Sequence, residues 1–104
     1  MIVQVNTDNH VKVSENFGWE IDALVTDKLS RFGDQITRVE VHLSDENSAK
    51  SGDRDKRCLM EARLEGMDPI VVTEKNDTVM QAINGAISRL KAAIENARGK
   101  AEAR

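Results

Sequence analysis

At 104 residues the chain has room for one hydrophobic core and none for a second. Its 39% hydrophobic and 32% charged residues exclude a wholly disordered chain, and its apolar runs of only a few residues exclude a membrane-spanning helix. The formal net charge of −3 excludes a simple, uniformly basic nucleic-acid-binding domain, but the charge is uneven: residues 1–76 hold 10 Lys+Arg and 15 Asp+Glu, whereas residues 77–104 hold 5 and 3.

Met1-Ile2-Val3-Gln4-Val5 alternates like a strand rather than opening as a basic, apolar leader, so a first strand is expected at about Ile2–Asn6, ended by the polar Thr7-Asp8-Asn9-His10. Ser14 then suits the N-cap of a helix whose apolar side is Phe17, Ile21, Leu24, Val25, Leu29 and Phe32. Gly33 is expected to close that helix in the left-handed conformation. Thr37–Ser44 alternates strictly, with Val39, Val41 and Leu43 on one face and Arg38, Glu40 and His42 on the other, the pattern of a half-buried strand. Asp45–Lys56 is polar and reads as a long exposed connection. Cys58, Met60, Ala62 and Leu64 form the inner row of a third strand that turns at Gly66. Ile70–Thr73 suits a short final edge strand, with a turn at Lys75-Asn76-Asp77. The last helix is the most regular element: Val79, Ile83, Ala86, Ile87, Leu90, Ile94 and Ala97 keep one apolar face, with Asp77 or Thr78 as N-cap. Gly85 costs it about 1 kcal/mol relative to Ala and suggests close packing against the other helix.

The order β-α-β-β-β-α predicts an α+β two-layer sandwich, two helices on one face of a four-stranded mixed sheet, with a parallel β-α-β start and an antiparallel meander after it. A single domain is expected over 1–100, with 101–104 as a C-terminal tail.

Chemistry is sparse. No nucleophile with a base, no metal-ligand spacing and no phosphate loop is readable, so no enzyme and no cofactor is expected. His10 and His42 are far apart, and the latter belongs to the wet face of a strand. Asp45, Glu46, Asp53 and Asp55 could attract a cation but lack the glycine and terminal glutamate of an EF-hand loop. Cys58 has no disulfide or zinc partner and faces the core, which fits a reducing cytoplasm. The basic residues carry more information. On the last helix Lys91 and Arg98, seven apart, share one flank of the apolar stripe, and Arg89 and Lys100 share the other. On the first helix Lys28 and Arg31 are neighbours, Lys28 within the apolar stripe and therefore expected to pack its stem. Such residues can form a basic seam that follows a phosphate backbone, or be ordinary solvated charges. Trp19, near the back of its helix, could stack on a base or be covered by a loop.

Three segments carry a family resemblance. Leu24-Val25-Thr26-Asp27-Lys28-Leu29-Ser30-Arg31-Phe32, Ile36-Thr37-Arg38-Val39-Glu40-Val41-His42-Leu43, and Asp77-Thr78-Val79-Met80-Gln81-Ala82-Ile83 followed by Ser88-Arg89-Leu90-Lys91 resemble the ribosome hibernation-promoting factor and ribosome-associated inhibitor A proteins, also called the sigma-54 modulation or S30AE family. Asp55–Arg63 is similar to a short variant branch. The resemblance implies a cytoplasmic, stress-related translation inhibitor that binds the small ribosomal subunit and its 16S rRNA near the decoding centre. It further implies no membrane and no small-molecule substrate. Carried over by position, Lys28, Arg31, Arg89, Lys91 and Arg98 are implied phosphate contacts, giving affinity without base specificity. The long members' C-terminal extension, which pairs ribosomes, has no counterpart here, so ribosome pairing by the chain alone is not implied. The acidic balance and the charged face of Arg38, Glu40, Glu61 and Arg63 point to the alternative, a protein-interaction module that keeps the fold without ribosome binding, with the 45–56 loop as a further possible protein contact.

Overall fold

The computed structural model describes residues 1–8, 11–46 and 55–102, and side-chain surroundings as far as Gly99. Seven elements follow in order: β1 (Ile2–Thr7), α1 (Glu15–Lys28), a single 3-10 turn (Ser30–Phe32), β2 (Ile36–Asp45), β3 (Lys56–Leu64), β4 (Ile70–Asn76) and α2 (Val79–Glu102). The four strands lie in sequence order, with β1 parallel to β2 and the other pairs antiparallel. The expected α+β sandwich is therefore the observed one.

Period-two alternation sets the register. Val3 lies opposite Val39, Val39 opposite Ala62 and Ala62 opposite Ile70; the next inner row is Val5, Val41, Met60 and Val72. One residue of slip would turn every one of these side chains to solvent. Ile21, Val25 and Leu29 at the α1 end and Ala82, Ile83, Ala86, Ile87, Leu90 and Ile94 on α2 complete the core with Phe32. Each large apolar side chain fully removed from water contributes about 1.5–3 kcal/mol, so this row, rather than helix propensity, holds both helices on the sheet. The reverse face stays wet, carrying Arg38, Glu40, His42, Glu61 and Arg63, and Glu40 receives Arg38 at 3.3 Å and His42 at 3.5 Å.

Both helices are capped as their sequences suggest. The Phe17 N–H donates to Ser14 Oγ at 3.0 Å, and the Gln81 N–H donates to Thr78 Oγ1 at 3.1 Å. Between β3 and β4 the chain turns through Gly66, whose φ of 73° is cheap only for glycine.

Several expectations need correction. The first helix does not run to Gly33: it ends at Lys28, Leu29 takes φ −103°, and a tighter turn follows, with Gly33 in the right-handed region. The buried line is thus Ile21, Val25, Leu29 and Phe32, and Lys28 stands beside it, exposed rather than packed. β4 does not stop at Thr73. Lys75 and Asn76 pair with Arg57 and Lys56, because β3 starts early enough to offer them partners. Gly85 faces Glu74 of β4, not α1; a Cβ there would come within 2.5 Å of the Glu74 side chain. The 45–56 connection is shorter than expected, since β2 runs to Asp45 and β3 begins at Lys56. Asp55 is only 6% exposed, and Lys56 bridges it at 2.9 Å to Asp45 at 3.3 Å. The hydrogen bond from Lys56 holds the Asp55 carboxyl below the usual range. Asp53 and the rest of 47–54 lie outside the described residues, as does His10.

Cys58 is fully buried beneath α2 in the same inner row as Leu43 and Glu74. Loss of hydration pushes its thiol up to about 12, so it stays protonated and unreactive at neutral pH.

Candidate nucleic-acid interface

The break after Lys28 is what builds the site. Because the 3-10 turn drives Phe32 into the core, the adjacent Arg31 is turned outward at the end of α1. Across from it runs the later part of α2, whose flank carries Lys91, Glu95 and Arg98 at spacings of four and three, next to one another along the helix. Arg31 and Arg98 converge on one ring: their guanidinium carbons lie 5.3 Å and 5.4 Å from the Phe32 centroid, within cation–π range. Arg31 Nη1 also donates to Glu95 Oε1 at 3.1 Å. Arg31, Glu95, Arg98 and Gly99 line an open cleft of about 240 Å³. The cleft gathers two guanidinium groups and one carboxylate, in a molecule that is net negative.

The five basic residues singled out in the sequence are thus only partly assembled. Arg31 and Arg98 meet at Phe32. Lys91 is half-buried on the same flank of α2 as Arg98, one heptad before it, and Lys28 is exposed one turn before Arg31; neither makes an ion pair among the described residues. Arg89 is on the opposite flank, over β4, where its Nε donates to Glu74 Oε1 at 2.7 Å. Glu74 sits in the space left by Gly85 and also accepts from Asn76 Nδ2 at 3.1 Å, so this is a packed contact between α2 and the sheet edge. Lys100 has no described side chain.

Trp19 is 64% exposed, on the part of α1 away from the core line, with no loop over it among the described residues. His42 is exposed on the outer sheet face. Among the described residues no three His, Cys, Asp or Glu side chains are placed to hold a metal, and no helix is long and apolar enough to cross a membrane. Sequence reading missed two participants. The apolar stripe marks Phe32 as core only, and nothing local reveals that its ring seats two arginines. Glu95 carries a usable signal, since its spacing of four from Lys91 and three from Arg98 places it among the basic residues of that flank.

Functionally, the cleft offers planar, fixed donors rather than reacting groups. Arginines held by an aromatic ring lose little freedom on meeting a phosphate, and their parallel N–H groups match its oxygens.

The chain is similar in fold to the N-terminal domain of Protein Y from Thermus thermophilus, with a TM-score of 0.71 and 19% identity over 92% of this chain and 98% of that one. It is likewise similar to a ribosomal subunit interface protein from Coxiella burnetii, with a TM-score of 0.71 and 16% identity over 95% and 99% of the two chains. At these identities the likeness shows the fold alone. No curated protein matches the chain. The family described as sigma 54 modulation protein / S30EA ribosomal protein matches residues 3–102. A match over that span leaves almost nothing of the chain outside it, and the chain belongs to the sigma 54 modulation protein / S30EA ribosomal protein family.

Proposed function

We propose that the chain is a ribosome-associated translation inhibitor of the cytoplasm. It docks the groove between the end of α1 and the later turns of α2 on 16S rRNA of the small subunit, near the decoding centre, under stress. The observation that carries this reading is the convergence of Arg31 and Arg98 on Phe32 at an open cleft of an otherwise acidic molecule. Family membership supplies the ribosomal direction, and the Coxiella burnetii protein of the same fold is called a ribosomal subunit interface protein. Lys28 and Lys91 extend the cleft along both helices, while Arg89, held by Glu74, contributes from the far flank. Such contacts read the shape and backbone of folded RNA, which suits a rigid sandwich. The chain acts by occupying a surface, without catalysis.

The test is co-sedimentation with purified small and large ribosomal subunits over a salt series. Binding to the small subunit that falls with salt on a log–log slope of about −2 to −4 fits three to five phosphate contacts. Equal binding to both subunits, or none at low salt, would reject the reading.

One observation favours a second reading. No described element covers the outer sheet face, which carries an ordered charge network, with Arg63 bonded to Glu61 at 3.0 Å and Arg38 to Glu40 at 3.3 Å. A protein partner with complementary charges would suit it. Loss of binding on substituting Arg38 and Arg63, with the groove intact, would identify that use.

A further inference from the structure

We infer that Glu95 is an affinity-setting residue: it neutralises Arg31 in the free protein and must be displaced before that arginine can meet a phosphate. The inference rests on the reading of the groove as a phosphate-binding surface and names its regulation.

Glu95 is the one acidic residue of α2 before the terminal Glu102, in a helix that carries Arg89, Lys91, Arg98 and Lys100. It lies between Lys91 and Arg98 on the flank that faces Arg31, and its carboxylate reaches Arg31 Nη1 at 3.1 Å across 64 residues of sequence. Both partners stay wet, with side chains 66% and 46% exposed, so this pair adds little to folding. Nor is it needed to aim Arg31. The guanidinium already rests over the Phe32 ring, and the backbone beneath it is fixed by the tight turn, in which the Phe32 N–H donates to Leu29 O at 2.9 Å. What remains for Glu95 is charge. A carboxylate at that spot cancels the charge of Arg31 and repels any phosphate that approaches it. Only a ligand presenting several phosphates together, as folded RNA does, regains more than it loses by breaking the pair. Isolated phosphates and sparse polyanions would be turned away.

The contrast with the other ion pair sharpens the assignment. Glu74 is held under Gly85 and is mostly covered, so removing it would disturb the sheet edge. Glu95 can be changed without touching the core.

The experiment uses the full chain in four forms: unaltered, Glu95→Gln, Arg31→Ala, and both together. Each is eluted from heparin resin by a salt gradient and titrated against small ribosomal subunits. Glu95→Gln is expected to elute at higher salt, to bind subunits roughly fivefold tighter, and to steepen the salt slope by nearly one. In the Arg31→Ala background that gain should fall to less than half. A Glu95→Gln protein that binds heparin no better or worse would overturn the inference, and so would an undiminished gain without Arg31. Should no form bind subunits while Glu95→Gln still gains on heparin, the role of Glu95 stands and the ribosomal reading falls.

Discussion

Replacing Phe32 by Ala is expected to cost about 3–5 kcal/mol of stability, the usual range for emptying a buried aromatic site. The ring is 1% exposed and is among the largest fully buried side chains. It closes the core where α1 gives way to β2, so the surroundings have little freedom to collapse into the gap. In a domain of this size that loss corresponds to a fall in melting temperature of about 15 °C or more, readable by circular dichroism. The ring also seats Arg31 and Arg98, so the same substitution should loosen the cleft. Phe32→Leu separates the two roles. It keeps most of the apolar volume, costs about 1–2 kcal/mol, and removes the π face on which the arginines rest. A folded Phe32→Leu protein with weakened binding would show that the ring positions the arginines as well as filling the core; unchanged binding would restrict it to packing.

The second large effect concerns charge. Arg31→Glu combined with Arg98→Glu should weaken binding to small ribosomal subunits by about a hundredfold or more, since like charges forced together at an interface cost several kcal/mol. Arg31→Glu alone should change stability by no more than about 1 kcal/mol, because Arg31 is well exposed and surface ion pairs contribute little; Arg98 is half-buried against Phe32, so circular dichroism of the double variant accompanies its binding measurement. The matched control is Arg38→Glu with Arg63→Glu on the opposite face of the sheet, which changes net charge equally. If both double variants bind alike, long-range charge rather than the groove governs association, and the site assignment is wrong.

Much of this architecture was legible because it rests on short-range pattern. Val39, Val41 and Leu43, and again Cys58, Met60, Ala62 and Leu64, alternate so strictly that only a sheet with one buried face accommodates them. Ser14 and Thr78 announced their helices through side chains that do cap them. What failed depended on partners distant in sequence. Lys75-Asn76-Asp77 has the composition of a turn, yet Lys75 and Asn76 extend β4 because Arg57 and Lys56 offer backbone partners, and the inward carboxylate of Glu74 beside them meets Arg89. The helix break after Lys28 carries no proline and no glycine, and the apolar pattern does not mark it, because an unbroken helix would also have kept Leu29 and Phe32 on one face. For the cleft, spacing along α2 correctly grouped Lys91 with Arg98 and set Arg89 apart, but not which flank would face α1. Spacing is silent about contacts such as Arg31 with Glu95, which only the packed fold creates.

The most direct test of the groove assignment uses the protected state of Cys58, which leaves any introduced surface cysteine as the reactive one. An iron chelate tethered through Ala92→Cys, on the exposed side of α2, would generate hydroxyl radicals beside the groove when the protein is bound to small ribosomal subunits. The same chelate at Val71→Cys would report from the outer sheet face. Strong cleavage of 16S rRNA around the decoding centre from the first position and weak cleavage from the second is the expected result. Cleavage mainly from the sheet face, or none in 16S rRNA from either, would contradict it.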